Sequence, residues 1–235
     1  MISVIIPTFN EEGYLPKLLS CIKRQTYKDY EVIVADSNSK DRTRQVAKKY
    51  RCKLVRGGLP ATGRNNGAKV ARGNVLLFLD ADVQFHSNFL GNAMDEFENH
   101  KLDVAGCRIC PLSTNIIDKI FFKIFNSWIF VTQFFYPNAS GGGIFCKADI
   151  HKKVNGFDES IKLSEDMDYV KRCGKFGKFR ILESADVLVS LRRFEKEGRL
   201  NVGFKLLLSA FYRIFFGEIR RNIFKYNLKW NKNKD

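Results

Sequence analysis

Two hydrophobic periods alternate along the first hundred residues of the chain. Short apolar runs are typical of strands buried on both faces, and the segments between them repeat apolar residues at helical spacing. The predicted strands are 3–7, 30–35, 53–55 and 74–79. The predicted helices are 12–24, one from about residue 41 with Ser39 as its cap, 62–71 and 88–98. This order predicts an α/β fold with a mostly parallel central sheet flanked by helices.

Polar or acidic residues follow three of these strands immediately. They are Thr8, Asn10 and Glu11 after the first, Asp36, Ser37 and Asn38 after the second, and Asp80 and Asp82 after the fourth. Ligands of parallel sheets bind beyond the carboxyl ends of the strands. Convergence of these groups at one rim therefore indicates a nucleotide site.

Asp80-Ala81-Asp82 is the strongest chemical signal of the three. Alternation along an extended backbone directs both carboxylates to the same side. That arrangement suits a hard divalent cation, Mg²⁺ or Mn²⁺, whose other ligands are water and diphosphate oxygens. Two solvated acids in a turn are the alternative interpretation.

The alternation breaks down after Asp103. A segment rich in Phe and Ile spans 116–136, a shorter helical stretch spans 165–174, and a long amphipathic stretch spans 198–225. No apolar run reaches 18 residues, so we expect no membrane-spanning helix.

The net charge of +15 indicates an anionic partner. From residue 190 onward there are twelve Lys or Arg residues against four Asp or Glu, so the excess of positive charge is concentrated in the last fifth of the chain.

The six cysteines include one Cys-x-x-Cys pair, Cys107 and Cys110, without a second pair to complete a four-thiolate zinc site. We expect reduced thiols, no signal peptide and a cytoplasmic protein.

Five short motifs, in this order, make the chain resemble glycosyltransferase family 2, the inverting transferases with the GT-A fold. They are Val4-Ile5-Ile6-Pro7-Thr8-Phe9-Asn10-Glu11, Asp36-Ser37-Asn38-Ser39-Lys40-Asp41-Arg42-Thr43, Gly63-Arg64-Asn65-Asn66-Gly67-Ala68, Asp80-Ala81-Asp82, and Gly156-Phe157-Asp158-Glu159 followed by Glu165-Asp166-Met167-Asp168-Tyr169. Each motif is weak alone, but together they cover roughly residues 2–175. The resemblance implies a catalytic domain over 1–190, with a nucleotide-sugar half at about 1–100 and an acceptor half at about 101–190. A basic amphipathic helical tail would follow over 191–235.

The resemblance implies a role for each rim residue in holding a nucleotide-sugar donor. Pro7, Thr8 and Glu11 would line the nucleoside pocket. Asp36 would accept a hydrogen bond from the base, which favours UDP over GDP, and Arg64 would approach the phosphates. Asp80 would meet the ribose or the metal shell, and Asp82 would bind Mg²⁺ or Mn²⁺. Gln84 stands where polyprenyl-phosphate sugar synthases place a third metal ligand, although an ordinary loop role fits it equally.

By the same resemblance, Asp166 would be the general base, and Glu165 would either orient the acceptor or hold the start of the helix. A sugar hydroxyl is a poor nucleophile, so a carboxylate must take its proton. Gly141-Gly142-Gly143 would form a tight turn beside the sugar, with an ordinary loop as the alternative. The expected acceptor is a hydroxyl of a glycan or of a lipid-linked sugar.

The aromatic segment and the basic tail together favour peripheral contact with an anionic membrane, on the inner face of the cell membrane. Packing of both on the core or on a second subunit is the alternative. The rim acids disfavour a nucleic-acid partner.

Rival functions are a polyprenyl-phosphate sugar synthase and a non-catalytic membrane- or nucleic-acid-binding module. A sugar-phosphate nucleotidyltransferase lacks support, since its glycine-rich loop is absent. The sugar, the acceptor and the oligomeric state stay open.

Overall fold

The central sheet has eight strands in the order β3-β2-β1-β4-β7-β6-β8-β5 in a computed structural model that describes residues 1–221. The strands are β1 Ile2–Thr8, β2 Tyr30–Asp36, β3 Lys53–Arg56, β4 Val75–Phe78, β5 Val83–Gln84, β6 Val104–Pro111, β7 Ile144–Lys147 and β8 Phe179–Val189. Four of the seven strand pairings in this part of the chain are parallel. The predicted α/β class with a mostly parallel sheet is therefore confirmed.

The first four strands form the parallel half of the sheet. Their connecting helices are α1 Leu15–Lys23, α2 Thr43–Lys49 and α3 Pro60–Lys69. The register pairs Thr8 with Asp36, so the carboxyl ends of β1 and β2 lie side by side. On the other side of β1, Ile5 pairs with Phe78, which places the end of β4 at the same rim.

The second half of the sheet is mixed because β7 runs antiparallel to both β4 and β6. Its helices are α4 Phe89–Asn99, α5 Ile116–Thr132, α6 Ala148–Lys153 and α7 Glu165–Cys173. β8 runs parallel to β6 and antiparallel to β5. This change of direction explains why the alternating pattern stops after Asp103.

Both faces of the sheet are covered, as the continuous apolar runs require. Val4 and Ile6 of β1 point into a core with α1 and α4, whereas Ile5 between them points into a second core with α6 and α7. All three side chains are fully buried. The two cores hold the strand ends, and the loops that leave them, in fixed relative positions.

Two further helices follow β8, namely α8 Arg192–Glu197 and α9 Arg199–Phe216. The chain then returns to the core, where Ile219 forms an isolated bridge with Leu163 just before α7. The division into a domain over 1–190 and a tail over 191–235 stays a prediction, and 222–235 lie outside the described residues. Among the described helices, none combines the length and apolar character needed to cross a membrane.

The predicted helix cap at Ser39 is wrong. α2 begins at Thr43, and its capping residue Arg42 makes no side-chain hydrogen bond to the helix. The Ser39 hydroxyl instead donates to Asp36 Oδ2 at 2.6 Å. A serine hydroxyl can accept a hydrogen bond as a helix cap or donate one to a nearby acceptor. Here it donates to the Asp36 carboxylate.

Helix α3 lies close against β1 because two of its residues are glycines. A Cβ at Gly63 would lie 3.0 Å from the Pro7 Cβ, and one at Gly67 would overlap the Cγ2 of buried Ile5. This close approach sets the position of Arg64, which lies between the two glycines.

We predict that Gly67→Ala lowers the free energy of unfolding by about 1–3 kcal/mol, because the added methyl overpacks against Ile5. Urea unfolding measures the change. Gly91→Ala in α4 is the matched control, since a Cβ there meets only Thr26 Oγ1 at 3.9 Å. It should leave stability unchanged or raise it by up to about 1 kcal/mol through helix propensity. Equal effects of the two variants would contradict the tight packing of α3.

Candidate active site

Three hydrogen-bonded groups lie next to one another at the carboxyl rim of the parallel strands. The Arg64 group contains Arg64, Asp80, Gly141, Glu165 and Asp166. The Arg192 group contains Glu11, Tyr14, Asp82 and Arg192, and the Asp36 group contains Thr8, Asp36 and Ser39. Of the predicted site residues, only Pro7 and Gln84 are outside these groups.

Arg64 joins the two halves of the fold through its guanidinium. Nη1 donates to Glu165 Oε1 at 2.6 Å at the start of α7, and Nη2 donates to Asp80 Oδ1 at 2.7 Å after β4. Its side chain is 3% exposed and lies over the Phe157 ring. Nε is buried and has no hydrogen-bond partner among the described residues. Its full charge is retained, since the carboxylates of Asp80 and Glu165 outweigh the effect of burial and raise the pKa of Arg64.

The two motifs around Arg64 and Phe157 hold one another in place. Asn65 Nδ2 donates to the Phe157 carbonyl at 2.9 Å, and the Phe157 amide donates to Asn65 Oδ1 at 2.8 Å. Asn65 also donates to Glu159. The side chain of Asn65 thereby fixes the loop that leads to α7.

Asp166 is held by two backbone amides. Its Oδ2 accepts from Gly141 N at 2.6 Å, and its Oδ1 accepts from Met167 N at 2.8 Å. A Cβ at Gly141 would lie 2.7 Å from Arg64 Nη2 and 3.1 Å from Asp166 Oδ2, so a larger residue would displace one of these groups. The predicted turn Gly141-Gly142-Gly143 thus contacts Asp166 directly, through the Gly141 amide.

Asp80 and Asp166 hold protons more tightly than ordinary carboxyls. Burial and, after it, the charge of Glu165 raise the pKa of Asp166 to about 6, against the opposing charge of Arg64. The poorly hydrated surroundings of Asp80 raise its pKa to about 6 as well, although 43% of its side chain stays accessible at the mouth of the cleft. Negative charge is in excess here, because one guanidinium faces three carboxylates.

Arg192, which the sequence did not single out, bridges two predicted rim residues. Nη1 and Nη2 donate to the Glu11 carboxylate at 2.7 and 2.9 Å, and Nε pairs with Asp82 Oδ2 at 3.0 Å. The guanidinium lies 4.5 Å from the centre of the Tyr14 ring. Burial raises the pKa of Asp82, with Arg192 opposing the shift and Glu11 adding to it. β8 runs parallel to β6. The position of Arg192 shortly after the carboxyl end of β8 was therefore the signal that could have identified it as a site residue.

Asp36 already has partners within the protein. Its carboxylate accepts from Thr8 Oγ1 at 3.0 Å and from the backbone and hydroxyl of Ser39 at 2.9 and 2.6 Å. Pro7 lies under α3, against Gly63. Gln84 lies in β5 beside Leu188, and in the described part of the chain no hydrogen bond links it to Asp80 or Asp82.

The donor set fits a divalent cation in its chemistry but does not form a closed cage. In the Arg64 and Arg192 groups, five carboxylates face two guanidiniums, so the site has room for further positive charge. No three His, Cys, Asp or Glu residues within 1–221 converge as a ligand cluster. A cation here would take Asp82, with Asp80 beside it, and complete its shell with oxygens from outside the protein.

A family model described as "Glycosyl transferase family 2" matches residues 3–135. Curated relatives include the poly(ribitol-phosphate) beta-N-acetylglucosaminyltransferase TarS of Staphylococcus aureus, 36% identical over 131 residues, which are 52% of this chain and 23% of TarS. Another is a GalNAc(5)-diNAcBac-PP-undecaprenol beta-1,3-glucosyltransferase of Campylobacter jejuni, 36% identical over 104 residues, which are 40% of this chain and 34% of that protein. Across such relatives the chain spans 20–38% of their length.

Solved structures share the architecture. TarS residues 1–349 in complex with UDP-GlcNAc superposes with a TM-score of 0.67 at 26% identity, covering 81% of this chain and 58% of that one. The mannosyltransferase PcManGT of Pyrobaculum calidifontis, in complex with GDP-Man and Mn²⁺, superposes with a TM-score of 0.71, covering 88% of this chain and 61% of that one. At 18% identity the second likeness concerns the fold alone. The expected GT-A architecture is confirmed.

We predict a pH-dependent stability that reports the raised pKa of the Asp166 carboxyl. Its folded pKa of about 6 lies above the usual 3.8, so its stabilising contribution is present at low pH and is lost as the pH rises through 6. The stability of Asp166→Asn relative to the wild type should therefore increase between pH 5 and pH 7.5. Urea unfolding at both pH values measures this difference.

Asp158→Asn is the control for this measurement. Hydrogen bonds from Ser160 lower the pKa of Asp158, so its carboxylate stays ionised across the window and its difference from the wild type should stay constant. A pH-independent difference for Asp166→Asn would contradict the raised pKa.

Proposed function

The chain belongs to glycosyltransferase family 2, and on that premise we propose that it transfers a sugar from a nucleotide-sugar donor to a hydroxyl group, with inversion at the sugar carbon. The observation that carries the proposal is Asp166, a half-buried carboxylate held by Gly141 beside the Arg64–Asp80 pair. Family relatives named as glycosyltransferases and a related structure with UDP-GlcNAc support the same activity.

The donor would lie along the rim, from the Asp36 group to the Arg64 group. Pro7, Thr8 and Asp36 would line the nucleoside end, where the bonds from Thr8 and Ser39 fix the Asp36 carboxylate before the base arrives. Arg64 would hold the phosphate end, since a charged donor pairs well with phosphate oxygens. We propose a UDP-sugar, and the UDP-GlcNAc complex of TarS supports this choice.

Asp166 would act as the general base. With a pKa of about 6 it is ionised at neutral pH and still basic enough to take a proton from a hydroxyl. The amides of Gly141 and Met167 fix its orientation, and Glu165, which is hydrogen-bonded to Arg64, would contact the acceptor. A polyprenyl-phosphate acceptor would not need this base, because its phosphate is already ionised.

A divalent cation, Mg²⁺ or Mn²⁺, would be held by Asp82 with Asp80 beside it. Such an ion supplies positive charge to the departing nucleoside diphosphate. Gln84 as a further ligand stays a prediction. The proposal is supported by the excess of carboxylates at the rim and by the family of the chain.

We also propose that the enzyme binds an anionic bilayer surface through α5 and α9. Large apolar side chains are exposed along one face of each helix. They are Ile117, Phe121, Ile124, Trp128 and Val131 on α5, and Phe204, Leu208, Phe211 and Phe215 on α9. Exposed Lys119 and Lys123 flank the apolar face of α5, and the chain carries a net charge of +15. Such a surface suits a headgroup layer, where a lipid-linked acceptor would be reached from the cytoplasmic side.

We predict that Asp166→Asn reduces the rate of sugar transfer by about 10²–10⁴-fold, because the amide cannot accept the proton of the acceptor hydroxyl. Asp82→Ala should abolish release of nucleoside diphosphate. A panel of nucleotide sugars with Mn²⁺ and saccharide or lipid-linked acceptors measures both. Donor affinity, read from thermal shifts, should be nearly unchanged in Asp166→Asn. Normal transfer by Asp166→Asn would contradict the base role and favour a phosphate acceptor.

We predict that the protein co-sediments with vesicles containing anionic phosphatidylglycerol and binds pure phosphatidylcholine vesicles less. Binding should weaken in Ile117→Glu/Ile124→Glu, which places charge on the apolar face of α5, and at high salt, which screens the lysines. Phe176→Glu is the control, because Phe176 is 49% exposed but lies outside both helices. Unchanged vesicle binding in the α5 variant, or a dimer in solution that dissociates in it, would contradict membrane contact.

A further inference from the structure

Arg192 places a positive charge where the rim carboxylates would otherwise face each other unpaired. Two of its nitrogens bind Glu11 and the third binds Asp82, so its whole guanidinium is engaged. Asp82 is the residue proposed to hold the divalent cation. The carboxylate of Asp82 would therefore serve as partner both to the arginine and to the metal.

The helix that carries Arg192 is attached to the protein on its other side. Leu191 is 3% exposed and packs with Ile109 and Phe122, and the ring of Phe194 lies 6.0 Å from that of Phe121. Glu197 at the end of α8 pairs with Lys205 of α9 at 2.7 Å. Because the backbone of α8 is anchored in this way, a change in this region would be confined to the arginine side chain, which is 34% exposed.

The charges allow only one of the two cations on Asp82 at a time. A divalent ion on Asp82 Oδ2 would stand within a few ångströms of the guanidinium, and two cations at that distance repel one another strongly. Arg192 has a long, flexible stem and a planar set of donors that matches phosphate as well as carboxylate. A diphosphate beside Asp82 would offer it new acceptors.

We propose that Arg192 is a counter-ion built into the donor site, which competes with the divalent cation for Asp82 and moves its guanidinium to the donor diphosphate when both bind. The inference rests on the proposed function of this rim. Its consequence is positive coupling: the nucleotide gives Arg192 a new partner, so the metal binds weakly alone and tightly together with nucleoside diphosphate.

The experiment measures Mn²⁺ affinity by electron paramagnetic resonance and calorimetry, with and without UDP, in the wild type, Arg192→Ala and Arg192→Gln. In the wild type, UDP should tighten Mn²⁺ binding at least tenfold. In both variants, Mn²⁺ alone should bind at least tenfold more tightly than to the wild type, and the effect of UDP should shrink. Mn²⁺ should also raise the melting temperature of the variants by more than that of the wild type.

Arg193→Ala is the matched control. It removes a neighbouring arginine of the same helix, whose guanidinium pairs with Glu197 at 3.2 Å, so Mn²⁺ affinity should stay at the wild-type value. If Arg192→Gln folds and binds Mn²⁺ no more tightly than the wild type, the inference is overturned. Sugar transfer by the wild type is measured in a separate assay. Transfer by the wild type, together with unchanged Mn²⁺ affinity in the Arg192 variants, would refute the counter-ion role alone. Competition without transfer to any acceptor would refute the proposed function alone.

Discussion

The buried guanidinium of Arg64 is the interaction on which the site depends. It pairs with Asp80 after β4 and with Glu165 at the start of α7, residues separated from it by 16 and 101 positions. Burying an arginine is costly unless its charge is paired and its hydrogen bonds are made. The position of α7, and with it that of Asp166, is therefore tied to the parallel half of the sheet.

Excess negative charge is the second organising feature of the rim. Asp80, Asp82 and Asp166 all have raised pKa values, because burial disfavours their charged forms and neighbouring carboxylates add to the effect. Surroundings of this kind make the charged carboxylates less favourable in the folded protein, and added positive charge at the rim would offset that cost. Strongly shifted pKa values are typical of functional sites.

The C-terminal segment takes part in the site as well as extending the fold. Arg192 reaches Glu11 across 181 positions of sequence, and α8 packs on α5, whose outer face carries the exposed apolar residues. The proposed acceptor half, the proposed membrane surface and the proposed donor rim are thus connected through one short helix. Composition alone indicates only that the C-terminal segment is basic, whereas the structure shows that its residue Arg192 contacts Glu11 at the rim.

The sequence by itself determined the α/β class, the alternation of strands and helices in the parallel half, and the convergence of Thr8, Asp36 and Asp80 at one rim, because hydrophobic periods and strand-end chemistry are local properties. It also supplied the family motifs that contain Glu165 and Asp166. Only the tertiary structure placed Gly141 against Asp166 and Arg192 between Glu11 and Asp82. It also showed that Ser39 binds Asp36 instead of capping α2. These contacts depend on how distant segments close upon one another, and no local pattern of residues encodes that distance.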